Sequence, residues 1–214
     1  MAKQERDGRR VERDSRVGQR TPYLGYYIII TDTKETEENY ILGLRDTIPK
    51  EYKNRIAIIV KKEKTKDLVN EAMEHISTCP QYRETWIVFD RDQVQDFNSI
   101  IEVAKENGIN VGWTNPCIEE WFHAYFGVMP NYSDSVSCCE GFEKLFKKKV
   151  NQSYNKNDKR IYTKLITHGD EGSAIGLAQQ KLEEHERNGR QKPSEMCPAT
   201  TLHLLIAEIK RKTQ

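Results

Sequence analysis

The chain has 214 residues, enough for one sizeable α/β domain or a compact domain with a helical appendage. Charged residues make up 31% and apolar ones 36%, and the formal net charge of +1 favours no class of partner, so any nucleic-acid surface must come from local patches. The apolar runs fall far short of the roughly 20 residues that a membrane span needs, and no charged-then-apolar leader is visible. The expectation is a soluble cytoplasmic protein with no membrane partner.

Residues 1–21 open the chain as a basic arm. The first twenty hold seven Lys/Arg, four acids and almost nothing apolar, too little buried surface to offset ordering. Such an arm is a solvated tail or a segment that touches phosphates.

From Tyr26 the texture changes. YYIIIT (26–31) is a β-branched and aromatic run with the pattern of a strand buried on both faces. Tyr40, Ile41 and Leu44 then recur at helical spacing, with Thr36 placed to cap the helix and Glu37 and Glu38 in its first turn, where the dipole favours acids. RIAIIV (55–60) reads as a second strand. KDLVNEAMEHIS follows as a helix with Leu68, Val69, Ala72, Met73 and Ile76 on one face. TWIVF (85–89) is a third strand, QDFNSIIEVAKENG a helix ending at Asn107-Gly108, and INVGWT (109–114) a shorter fourth strand.

This alternation predicts an α/β fold: a Rossmann-like parallel sheet of about four strands with crossover helices, over residues 22–127. Beyond Asn115 the pattern turns helical. PCIEEWFHAYF opens with Pro at a helix start, and four more amphipathic stretches follow, so residues 128–214 form a helical extension packed on the core.

Ligands bind outside the carboxyl ends of strands in open parallel sheets. Asp32, with Glu35, Glu37 and Glu38 beyond it, follows the first strand. Asp90 and Asp92 follow the third, and Asn115 and Glu119 follow the fourth. A strand end is a loop and loops are polar, but acids gathered after three strands repel one another unless a hard divalent cation screens them. Mg²⁺ takes oxygen ligands of this kind. Residues i and i+2 of a strand point the same way, so Asp90 and Asp92 can reach one ion while Arg91 points away. Five cysteines without a CxxC pair and five histidines without HxxxH or HExxH spacing give no zinc pattern and suit a reducing compartment.

Four stretches carry a resemblance: IIITDTKETEENYILGL (28–44), VFDRD (88–92), NPCIEEWFHAYF (115–126) and CPATTLHLLIAEI (197–209). YNKNDKRIYTKL (154–165) adds a lysine-tyrosine segment. Together they resemble the Toprim fold and, more specifically, the RloB family of Toprim-like proteins in bacterial antiphage and abortive-infection systems. The resemblance implies a Mg²⁺-dependent nuclease, with Mn²⁺ as an alternative ion, cutting RNA (tRNA included) or DNA, and a partner ATPase that holds or releases it. It also implies Asp32, Asp90 and Asp92 as metal ligands and Glu37, Glu119 and Lys156 as catalytic residues. Where the family carries Glu-Gly after the first strand, this chain has Asp32-Thr33, one methylene shorter, so that Glu37 shares or takes over the role.

Each residue has a plainer reading. Glu37 can be a helix-dipole acid and Lys156 a solvated loop lysine. KLFKKKV (144–150) is either a phosphate track beside Phe142 and Phe146 or a solvated helix face. His123, one turn after Glu119, either supports the site or does not; Trp121 and His203 read as structural. A non-catalytic Toprim-like binding or assembly module is the alternative function. A receiver domain is disfavoured by the Asp doublet and the missing fifth strand. A homo-oligomer remains open.

Overall fold

The computed structural model describes residues 25–32, 35–60, 65–79, 84–92 and 94–213. The arm at 1–21 and Thr33 lie outside the described residues. Strands β1 (Tyr27–Thr31), β2 (Ile56–Val60), β3 (Glu84–Asp90) and β4 (Asn110–Asn115) are parallel. Helices α1 (Thr36–Thr47) and the one-turn α2 (Lys50–Lys53) join β1 to β2, α3 (Leu68–Thr78) leads to β3, and α4 (Phe97–Glu106) leads to β4. The remainder is α5 (Ile118–Ala124), α6 (Ser135–Val150), α7 (Ile161–His168), α8 (Glu171–Arg187), a two-residue strand β5 (Ala199–Thr200) and α9 (Leu202–Thr213).

Strand order is β2-β1-β3-β4-β5, with β5 antiparallel to β4. The expected α/β architecture is observed, with one strand more than anticipated. Ala199 and Thr200 read as the start of a helix, but they pair with Asn115 and Thr114 before the helix begins. The Thr200 hydroxyl pairs with that of Thr114 at 2.9 Å and accepts the Leu202 N–H at 3.1 Å, so it fixes the strand edge and starts α9 together.

Alternation along the central strands separates two apolar layers. Tyr27, Ile29, Trp86 and Val88 face α1, α5 and the C-terminal helices, whereas Ile28, Ile30, Ile87 and Phe89 face α3 and α4. Because β1 lies beside β3, the sheet winds outward in both directions from that pair. The gap between their carboxyl ends is the switch point at which open α/β sheets bind ligands.

Three local expectations are corrected. Met73 and Ile76 are 37% and 39% exposed, so α3 buries only the narrower stripe of Leu68, Val69 and Ala72. Thr36 does not cap α1: Glu35 holds that position without a side-chain bond, and the Thr36 hydroxyl donates to the Lys156 carbonyl at 3.4 Å. A tertiary neighbour has recruited the hydroxyl that local sequence offered to the helix. Pro116 precedes the cap of α5 (Cys117) and so lies outside the helix.

A candidate metal centre at the strand switch point

The carboxyl ends of β1 and β3, the first turns of α1 and α5, one face of α6 and the segment 154–156 enclose a cleft of about 1120 Å³. Every predicted site residue lines it: Asp32, Glu37, Asp90, Asp92, Glu119 and Lys156. Glu35, Glu140 and Glu143 line it too, giving eight acids against a single cation, Lys156, among the described lining residues. A polyanionic substrate is repelled from such a wall unless cations enter with it.

Asp90 ends β3, and its Oδ2 accepts the N–H of Ile118, the first residue of α5, at 2.8 Å. Burial and the negative charges of Glu37, Asp32 and Glu119 nevertheless hold its pKa well above the carboxylate range. Asp32 is pushed up to about 7, by burial first and the charge of Glu37 next, against a 3.2 Å hydrogen bond from the Thr65 hydroxyl to its Oδ2. Its Oδ1 is buried with no hydrogen-bond partner among the described residues. Oxygen atoms this crowded and under-satisfied gain most from a cation.

The DRD stretch reaches the cleft by a different route from the one expected. The strand stops at Asp90, and Asp92 sits beyond it in a turn with φ of 25°. The N–H groups of Arg91 and Asp92 donate to the carbonyls of Thr114 and Pro116 at 2.8 and 3.0 Å, which carries the chain across the end of β4. The hydroxyl of Ser135, at the start of α6, holds the Asp92 carboxylate at 2.5 Å. Arg91 does not line the cleft.

Glu119 is 1% exposed; its Oε1 accepts the Tyr154 hydroxyl at 2.8 Å and lies 3.6 Å from Nζ of Lys156. Burial opposes the charge of Lys156, but Glu119 and Cys139 raise its pKa above the ordinary lysine value. Its neighbour Glu120 turns to the other side of α5, where the Cys138 thiol donates to Oε2 at 3.5 Å and burial pushes its pKa up to about 8. Of these adjacent acids, Glu119 lines the cleft and Glu120 does not.

Two motif residues do structural work behind the cleft. Trp121 Nε1–H donates to the Tyr40 hydroxyl at 2.8 Å, and Tyr40 pairs with the Tyr125 hydroxyl at 2.8 Å. Tyr125 and Tyr162 donate to Glu171 at 3.0 and 2.8 Å, and Lys210 of α9 closes on Glu171 at 3.0 Å. The first Glu of TEENY, Glu37, and the first Glu of NPCIEEW, Glu119, thus face the cleft, while Tyr40 and Trp121 lock the two helices that carry them.

His123 does not join the site. It is buried among the rings of Tyr132 and Phe142, and burial lowers its pKa. Asn115 ties the end of β4 to the segment before β5, its amide donating to the Met196 carbonyl at 2.8 Å. His203 bonds the Thr200 carbonyl and Gln179, as a structural histidine does. The lysines of 144–150 are absent from the cleft lining, and Phe142 and Phe146 are core. The face α6 turns to the cleft carries Ser135, Cys139, Glu140 and Glu143 instead.

The family described as RloB-like protein matches residues 27–209, a span that includes every cleft residue named above. The chain belongs to the RloB-like family. No curated protein and no solved structure gives a significant match to this RloB-like chain. Among the described residues, no helix is long and apolar enough to cross a membrane.

Proposed function

We propose that this RloB-like protein is a divalent-cation-dependent nuclease that hydrolyses phosphodiesters of RNA, tRNA included, or of DNA, as the effector of an antiphage system with a partner ATPase. The observation that carries this reading is the pair Asp32 and Asp90 at the β1/β3 switch point. Asp32 has a buried oxygen with no hydrogen-bond partner among the described residues, and burial first and neighbouring negative charge next hold both carboxyls above the ordinary carboxylate range. Hard oxygen donors of this kind fit Mg²⁺ or Mn²⁺.

Asp32, Asp90 and Asp92 are the residues that would hold the ion, which when bound neutralises charge on phosphate oxygens. Glu37, 3% exposed on the first turn of α1 and lining the cleft, would take a proton from the attacking water. Lys156 rests on Glu119 with its side chain 54% exposed, so it can swing to the phosphate as negative charge builds there.

The test incubates the purified chain, with and without the partner ATPase, with plasmid, single-stranded DNA and total tRNA in Mg²⁺, Mn²⁺ or EDTA. Cutting that needs the cation and is lost in Asp90→Asn supports the nuclease. No cutting of any substrate under any of these conditions leaves the non-catalytic module.

A further inference from the structure

Cys117 and Cys139 are 22 residues apart in sequence, and the packing of α5 against α6 brings their sulfurs to 4.0 Å. Glu119 joins them: both Sγ atoms and a carboxylate oxygen lie within 4.8 Å of one another, and all three side chains line the cleft. Two metal–sulfur bonds of about 2.3 Å at a tetrahedral angle place their sulfurs about 3.8 Å apart. The observed pair is therefore spaced for one shared ion. Cys117 and Glu119 are buried and held by the packed start of α5, so the donors are set before any ligand arrives.

We propose that Cys117, Cys139 and Glu119 form a site for a thiophilic divalent cation of the Zn²⁺ class, with its fourth position open to the cleft. Thiolates select such ions over Mg²⁺, so this site is distinct in chemistry from the oxygen cluster of Asp32, Asp90 and Asp92. Three protein ligands with one open position are the pattern of a zinc site that accepts a further ligand. Lys156 marks where the cation goes: its ammonium rests on Glu119, its charge also acts on Cys139, and its half-exposed side chain can leave. Binding transfers the two thiol protons to solvent and forms two metal–thiolate bonds and one metal–carboxylate bond, with no change of oxidation state. The inference stands on the cysteine geometry and is independent of any nuclease activity.

The test uses Co²⁺ as a spectroscopic probe on the full chain, reduced and free of oxygen. The expected result is a thiolate-to-cobalt charge-transfer band in the near ultraviolet with the intense visible bands of a tetrahedral ion. Saturation should come at one ion per chain, with displacement by Zn²⁺ but not by excess Mg²⁺. Cys139→Ser and Cys117→Ser should lose the band, Glu119→Gln should shift it, and Cys79→Ser and Cys197→Ser should keep it. Circular dichroism confirms the fold of each variant, and Cys139, less buried than Cys117, provides the variant least able to disturb it. Absence of the band in the wild-type chain overturns the proposal. So does its persistence in folded Cys139→Ser, or a Cys117–Cys139 disulfide as the only chemistry of the pair.

Discussion

Nζ of Lys156 lies 3.6 Å from Oε1 of Glu119, so a side chain that is 54% exposed neutralises one that is 2% exposed. Removing the lysine strands a buried carboxylate whose bond among the described residues is the one from Tyr154. Lys156→Met should therefore lower stability by about 1 kcal/mol, screened by the exposure of the lysine. Adding Glu119→Gln should recover most of that loss. Urea unfolding of the two single variants and the double closes the cycle. Additive losses would show that the pair does not interact.

Asp32 supplies a pH dependence. Its carboxyl is raised from 3.8 to about 7, so the folded chain holds a proton that the unfolded chain has released between those values. Stability is unaffected below the lower value and falls as pH rises through the window. In EDTA, the unfolding free energy from urea titrations should drop from pH 4 to 7 by about 4 kcal/mol, and Asp32→Asn should flatten the slope. Added Mg²⁺ should offset the drop at neutral pH. A flat profile for the unmodified chain would show that Asp32 is not charged against its surroundings.

Asp90 separates charge from hydrogen bonding. Asp90→Asn removes the repulsion and retains an oxygen for the Ile118 N–H, so the cation-free protein should melt at a higher temperature than wild type. Asp90→Ala also removes the repulsion but leaves that N–H without its acceptor, and should be about 1 kcal/mol less stable than the Asn variant. Equal melting of the two variants would show that the bond contributes nothing.

Gly43 marks a close approach of α1 to α7. A Cβ placed there would lie 2.5 Å from Cβ of Tyr162 and 3.3 Å from its Cγ. Gly43→Ala should cost about 1–3 kcal/mol by forcing the helices apart, although alanine is the better helix former. An unchanged or raised urea midpoint would mean that the two helices part freely.

If the chain is a nuclease, Glu37→Gln should reduce cleavage about 10²–10⁴-fold, the range for a general base. Cation affinity, read by calorimetry, should change far less. Neutralising Lys147, Lys148 and Lys149 together should leave the rate at saturating substrate intact, because all three lie outside the cleft. A Glu37→Gln variant that cuts at the wild-type rate removes the base role.

Much of this arrangement was legible in the sequence, because the signals were periodic. The apolar runs at 26–31 and 85–89 read as buried strands and are so, and acids placed after them fall at the carboxyl edge by topology. The run at 55–60 is also a strand, but at the sheet edge, where Ile56 is buried and Ala57, Ile58 and Ile59 are only partly so. What was hidden depends on contacts between distant segments. Ala199 and Thr200 give too short a run to announce a strand. Thr36 had the chemistry of a helix cap, but its partner, Lys156, is 120 residues away. Cys117 and Cys139 carry no zinc spacing because two helices, and not one loop, bring them together. Asp90 and Asp92 reached the same cleft although the i, i+2 argument does not apply past the end of β3.

The chain of bonds behind the cleft has a consequence for where the molecule can be cut. From Tyr40 and Trp121 it passes through Tyr125 and Glu171 to Lys210, almost at the end of the sequence. A protein trimmed at residue 209 would keep every carboxylate and thiol of the cleft. It would lose the last strut of the frame that fixes the distance between the helices bearing Glu37 and Glu119. No residue of α9 lines the cleft, yet the spacing of the acids that do is in part its property.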